Sequence, residues 1–293
     1  MTAKNLEIEK DCVLLVASCD AYRDLWRPFF ALLRQYWPDC PFPVFLGAER
    51  TDSGQPGVVT LFSDGGLVWS RRILDYLTQL SATYVLVTLE DFFLRSVVST
   101  SKVLQCFEFA CGHDAVQVRL IPRPRPTNRI SGESLIGESA VGSPYRLCTQ
   151  AAIWNRRALI DLLRADESIW EFELNGNVRA SANPSGFYSV WRPVLPYQGV
   201  FAHHVVEKGK WLPHEKWIFE RKNIGCDFAR RDTLPWRQAA IYHLALTIHR
   251  LLNILPWRRK DRVLRALKAA GRPFLGRSLD RLKKPPPHST PSP

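Results

Sequence analysis

Residues Tyr84–Leu94 read YVLVTLEDFFL. An apolar, β-branched-rich run from Tyr84 to Leu89 passes straight into two carboxylates, Glu90 and Asp91, and then into a second apolar cluster, Phe92, Phe93 and Leu94. A run of this length and composition predicts a buried strand. Charges beside a core are costly unless a metal, a hydrogen-bond network or an arginine compensates them. A buried strand that ends in acid therefore predicts a site at its carboxyl end.

Upstream, Cys12–Ser18 predicts a first strand, closed by Ser18, Cys19 and Asp20. Leu25, Trp26, Phe29, Phe30, Leu32, Leu33, Tyr36 and Trp37 then recur at helical steps until Pro38. Pro41–Leu46 and Gly57–Phe62 predict two more strands, and Trp69–Leu80 a helix capped by Ser70 that feeds the acid-ended strand. Downstream, the patterns predict a helix over Thr100–Cys111, a strand over Ala115–Ile121 and a long loop over 122–144 of the lid or disordered kind. A strand over Arg146–Ile153, a helix over Asn155–Leu163, a short acidic helical turn over Glu167–Asn175, and short strands and turns over Asn183–Trp211 follow. This alternation is that of an α/β fold with a mixed sheet flanked by helices.

The 293 residues are 46% hydrophobic, enough for a packed core. Seven cysteines stand without C-x-x-C or metal-ligand spacing, which predicts buried free thiols in a reducing compartment. The polar MTAKNLEIEKD reads as neither a signal peptide nor a membrane span, so the cytoplasm is the expected location. Several of the ten tryptophans lie in polar company, as at Trp69 and Trp211, where an indole can be a stacking platform or simply core.

The net charge of +12 is concentrated in one place: residues 1–220 carry 23 Lys+Arg against 24 Asp+Glu, and residues 221–293 carry 17 against 4. The composition predicts a domain over 1–225, a basic amphipathic helical tail over 226–284 and a disordered proline-rich end over 285–293. Gln238–Leu255 is apolar but interrupted by His243, His249, Arg250 and Asn253, and Trp257-Arg258-Arg259-Lys260 follows it. That pattern suits a helix lying on an anionic membrane, peripheral on its inner face, with Asp261–Ala270 extending the basic patch. The alternative is a helix packed back on the domain with a solvated basic face. No recognised nucleic-acid motif accompanies the charge.

Glu90 and Asp91 are candidate ligands for Mn²⁺ or Mg²⁺, Asp91 first, since hard cations take carboxylate oxygen and leave room for phosphates. The alternative is a solvated strand-end pair. Ser18, Cys19 and Asp20 end a strand where open α/β sheets bind ligands. Arg71 and Arg72 open a helix, where anions are favoured. Trp170-Glu171-Phe172-Glu173 sets two carboxylates among aromatics, conditions that raise a carboxyl pKa and suit a general base, or else marks surface acids on a helix. His203 offers a late metal ligand, and Lys208 and Lys210 a diphosphate clamp. The chain has no G-x-x-x-x-G-K-[ST], G-x-G-x-x-G or G-x-S-x-G pattern.

Taken in order, SCDAYRDLWRPFFALLRQYWPDCPFPVFL, WSRRILDYL, YVLVTLEDFFL, YRLCTQAAIW, ESIWEFE and KGKW resemble a family of bacterial glycosyltransferases from polysaccharide gene clusters, over roughly residues 12–215. That family is similar to GT-A enzymes, which transfer a sugar from a nucleotide-sugar donor. The resemblance implies that Ser18, Cys19 and Asp20 meet the nucleotide, that Glu90-Asp91 stands where GT-A enzymes keep a D-x-D metal motif, and that Glu171 or Glu173 is the acceptor-side base. The chain departs from the motif in reading Glu-Asp-Phe, and Arg71, Lys208 or Lys210 is the alternative source of positive charge. The implied acceptor is a lipid-linked or membrane-proximal glycan. Rival readings are a nucleotidyltransferase and a non-enzymatic membrane-surface scaffold.

Overall fold

The computed structural model describes residues 11–64, 66, 68–143, 145–197, 204–222 and 224–252. The chain divides into two compact units, Met1–Gln198 with Ile224–Asp227, and Gly199–Asn223 with Phe228–Pro293.

The first unit opens with β1 (Cys12–Ala17), a short 3₁₀ turn (Asp20–Tyr22), α1 (Arg23–Tyr36), β2 (Val44–Ala48), β3 (Val58–Phe62), α2 (Trp69–Thr78) and β4 (Tyr84–Leu89). It continues with α3 (Thr100–Gly112), β5 (Gln117–Arg119), β6 (Asn128–Arg129), β7 (Ile136–Glu138), β8 (Ala152–Asn155), α4 (Arg156–Leu162), α5 (Ile169–Ala180) and β9 (Phe187–Val190). The nine strands form one sheet in the order β3-β2-β1-β4-β8-β5-β9-β7-β6. Strands β1 to β4 run parallel, and β8 runs antiparallel to both β4 and β5. This is the mixed, helix-flanked sheet that the sequence predicts.

Both faces of the central strands are buried, which is why they read as continuous apolar runs rather than alternating ones. Val13, Leu15, Val85 and Val87 pack with Ile73, Tyr76 and Leu77 of α2, Leu159 of α4 and Phe172 of α5. On α3, Phe107 meets the Tyr84 ring edge-on at 5.8 Å, and the Tyr84 hydroxyl donates to the Ala110 carbonyl.

Three local expectations are corrected. The 122–144 segment is not a structureless lid, because β6 and β7 pair within it and β7 adds to β9 at the sheet's edge. Ser70 does not cap α2: Val68 is the N-cap, and Ser70 is buried inside the first turn with its N–H on the Glu167 carbonyl at 3.1 Å. The acidic turn is a 12-residue helix, α5, because Ser168 and Glu171 close a capping box at its start.

The second unit contains a two-stranded hairpin, β10 (Val206–Glu207) with β11 (Lys210–Trp211), then α6 (Pro213–Arg221) and α7 (Trp236–Leu252). Lys208 and Gly209 have φ of 52° and 76°, so both central residues are left-handed, as a tight two-residue hairpin turn requires. Trp211 is fully buried against Phe219 and Phe228, and is core rather than a platform. Ala239 and Tyr242 of α7 pack with Leu212 and Leu234, so part of this helix folds back on its own unit. No helix among the described residues is long and apolar enough to cross a membrane. Asn253–Leu255, the Trp257–Lys260 cluster, Asp261–Ala270 and the 285–293 end lie outside the described residues. None of the seven cysteines is in a disulfide; Cys40, Cys111 and Cys226 are only partly buried.

Candidate functional site

The strand order reverses between β1 and β4: the chain goes from β1 outward to β2 and β3, then returns to the other side of β1. Such a switch point opens a crevice outside the carboxyl ends of its strands. The parallel register pairs Ala17 with Leu89, so Ser18-Cys19-Asp20 leaves the sheet beside Glu90-Asp91. Glu90 is 7% exposed, and Asp91 is half-buried. Burial, then the nearby Glu90 charge, pushes the Cys19 thiol up to about 11, with Arg72 opposing and Glu49 adding to the rise. Cys19, Glu90, Arg72 and Glu49 thus share one electrostatic neighbourhood.

Within it, Asp20 organises the chain. Its carboxylate accepts from the backbone N–H of Glu49 (3.0 Å), Arg50 (3.3 Å) and Thr51 (3.1 Å) and from the Thr51 hydroxyl (2.7 Å). Burial works against its charge, but these hydrogen bonds win and hold the carboxyl below its ordinary value. Asp20 therefore shapes the loop after β2, a role that engages both of its oxygens. Ser18 accepts from the Trp26 indole at 2.8 Å, and its carbonyl takes the Tyr76 hydroxyl at 3.2 Å. Arg72 lies 3.5 Å from Glu49, whereas Arg71 pairs with Asp75 on the exposed side of α2.

Because β8 is antiparallel to β4, with Val87 opposite Ala152, the residues entering β8 lie on that same carboxyl edge. They include Thr149, whose N–H and hydroxyl both donate to Oε1 of Glu173, at 2.7 Å each. Glu173 sits on α5, where Phe172 is fully buried and tilts against Trp69 with ring centroids 5.5 Å apart. Burial pushes the Glu173 carboxyl up, further than the two Thr149 bonds and the Arg119 charge pull it down. Among the described residues no hydrogen bond reaches its Oε2. Glu171 is exposed, and its carboxylate accepts from the Ser168 N–H at 2.8 Å in the capping box. Glu171 is thus engaged in the helix cap, whereas Glu173 meets Thr149 through one oxygen.

Three residues that hold the segment leading to Thr149 were not singled out by sequence. Arg119, fully buried, donates to the Tyr145 carbonyl (2.8 Å), the Ser139 hydroxyl (2.7 Å) and the Cys148 sulfur (3.5 Å). Arg146, equally buried, donates to the carbonyls of Ser139 (2.9 Å) and Asn183 (2.7 Å) and stacks over Phe187 at 4.4 Å. Tyr145 has φ of 54°, uncommon for a residue of its size. Together these hold the segment that presents Thr149. A signal existed in Gln117-Val118-Arg119, a strand whose two polar side chains share a face.

The remaining candidates belong to the second unit. Lys208 forms the hairpin turn, Lys210 pairs with Asp232 at 3.0 Å, and His203 lies outside the described residues. Among the described residues no three His, Cys, Asp or Glu side chains are grouped to hold an ion. Glu90-Asp91 therefore makes no closed cage. A hard cation supported by one or two carboxylates that takes the rest of its shell from phosphate and water is the kind this edge fits.

No family model matches the chain. No curated protein matches it either. Among solved structures it is similar to S. aureus TarS 1–349 in complex with UDP, at 13% identity and a TM-score of 0.43, over 81% of this chain and 71% of that one. It spans 43% of the longer TarS chain. It is also similar to 2-C-methyl-D-erythritol 4-phosphate cytidylyltransferase from Thermus thermophilus, at 15% identity and a TM-score of 0.40, over 72% of this chain and 98% of that one. At such scores neither likeness assigns a role to any residue here.

Proposed function

We propose that the chain is a glycosyltransferase of GT-A type, moving a sugar from a nucleotide-sugar donor to a hydroxyl of a lipid-linked or membrane-proximal glycan. The observation that carries this reading is the shared carboxyl edge: the β1/β4 switch point, with its acids and Arg72, and the half-anchored Glu173 beside it. The sequence resemblance points the same way.

On this reading, the nucleotide lies over Ser18-Cys19 and the loop that Asp20 shapes, rather than on the Asp20 carboxylate, which is already engaged. Oε2 of Glu173 takes the proton of the acceptor hydroxyl as its oxygen bonds to the anomeric carbon. The bond from that carbon to the diphosphate oxygen breaks, and the nucleoside diphosphate leaves with the electron pair. Arg72 supplies fixed positive charge on the donor side. A divalent cation held by Asp91, with Glu90 behind it, would neutralise the diphosphate. Inversion of stereochemistry follows from a single displacement.

A nucleotidyltransferase could use the same edge but would release pyrophosphate. The test is a donor screen, with membrane extract as acceptor source, that quantifies both products. Nucleoside diphosphate supports sugar transfer, and pyrophosphate supports the rival.

A further inference from the structure

We propose that Arg119 is the positioning residue of Glu173: from the end of β5 it ties down the segment that carries Thr149, so that one oxygen of Glu173 is fixed and the other is left for the acceptor. This rests on the reading of Glu173 as the base.

The geometry separates Arg119 from an ordinary core residue. Its side chain is fully buried at a position opposite Ala152 of β8 and Ser189 of β9. Its hydrogen-bond partners are all neutral (a carbonyl, a hydroxyl and a thiol), and its Nε has none among the described residues. A buried cation bound only by neutral groups is a costly arrangement, one that an apolar side chain of similar volume would avoid. Its contacts fall on Ser139, Tyr145 and Cys148, bracketing the approach to Thr149. On the other side, Asn177 of α5 accepts the Leu147 N–H at 3.1 Å, one helical turn beyond Glu173. The segment is thus clamped between β5 and α5, and Thr149 is delivered to Oε1.

The charge of Arg119 also acts on Glu173, against the burial that raises its carboxyl. The other titratable groups around Glu173 do not compete for this role. Burial, then the Glu173 charge, drives up the Tyr145 hydroxyl; the buried Cys148 thiol is also raised, so both stay neutral near pH 7. On α5, Glu171 closes the capping box, and Arg179 is bound to Glu167. From α4, Arg156 donates to the carbonyls of Ala82 and Leu77, and from α2, Arg71 and Arg72 face Asp75 and Glu49. Arg119 is the cation whose charge opposes the rise that burial imposes on Glu173.

The experiment is a pH titration of the Glu173 carboxyl carbon by ¹³C NMR in the full chain labelled at glutamate, assigned with Glu173→Gln. Neutral Arg119→Gln and Arg119→Met should move the midpoint upward, while Arg119→Lys should keep it near wild type. Folded neutral variants with an unmoved midpoint would overturn the proposal, as would a Lys variant shifted as far as the neutral ones. Should the neutral variants fail to fold, Thr149→Val decides: its midpoint must rise and Thr149→Ser must restore it, and an unmoved midpoint refutes the clamp. Because the titration needs no substrate, it is readable whether or not sugar transfer is observed.

Discussion

Glu173 accepts the backbone N–H and the hydroxyl of Thr149 through the same oxygen, Oε1, at 2.7 Å each. The carboxylate is therefore oriented on one side only. Its pKa is raised by burial, so in the folded state the charged form is disfavoured relative to the unfolded chain. That contribution is destabilising at neutral pH, and it vanishes once the pH falls below the ordinary carboxylate value.

Glu173→Gln separates chemistry from folding. Its amide oxygen can still accept from Thr149, while the charge and the base are both removed. Transfer should fall by about 10²–10⁴-fold, with donor affinity unchanged by calorimetry. Thermal unfolding at pH 7 should occur at the same temperature or higher, and a large loss of stability would mean the carboxylate is structural.

Asp20 has the opposite sign. Its carboxyl is held below the ordinary value, so it stabilises the fold above that range, and the contribution is lost as pH falls through the folded value. Asp20→Ala should cost roughly 1–3 kcal/mol at pH 7 by urea unfolding, because the N–H groups of Glu49 to Thr51 lose their acceptor. The difference between variant and wild type should shrink in acid. An equal deficit at all pH values would contradict the assignment.

Gly47 and Tyr76 form a tight packing contact behind the switch point. A Cβ on Gly47 would stand 2.3 Å from the Tyr76 ring, whose hydroxyl bridges the carbonyls of Ser18 and Ala48. Gly47→Ala should destabilise by about 1–3 kcal/mol. Tyr76→Phe should lower stability by roughly 0.5–1.5 kcal/mol through the lost hydroxyl hydrogen bonds, the Ala48 carbonyl keeping the Ser63 N–H. Chemical denaturation checks both, and donor affinity should weaken in each.

The acid-ended strand, the parallel half of the sheet and the helices between its strands were legible because each apolar run there is bounded by polar punctuation. The 122–144 segment was not, since its short strands β6 and β7 are held by edge pairing with β9, a contact between residues distant in sequence. Asp20 was legible as a strand-end acid but not as a loop organiser, because its partners lie about 30 residues away. Arg119 and Thr149 were missed for the same reason: each acts through a group on another element.

The basic tail carries a separate expectation. Truncation at residue 225 would strip Leu234, Ala239 and Tyr242 from Leu212, so charge removal is the cleaner probe. Neutralising Arg258, Arg259 and Lys260 in the full chain should weaken flotation with anionic vesicles by about 1 kcal/mol per residue, on the order of a hundredfold in total, with zwitterionic vesicles as the baseline. Unchanged flotation would leave α7 as a helix that only packs on its own unit.

The central claim is tested most directly by product release from a panel of nucleotide sugars, with membrane extract as acceptor source and with wild type, Glu173→Gln and Asp91→Ala compared. The account predicts nucleoside diphosphate and a glycosylated acceptor from wild type, loss of both in Glu173→Gln with donor still bound, and loss of transfer in Asp91→Ala. Full turnover by Glu173→Gln, or pyrophosphate as the product, would contradict it.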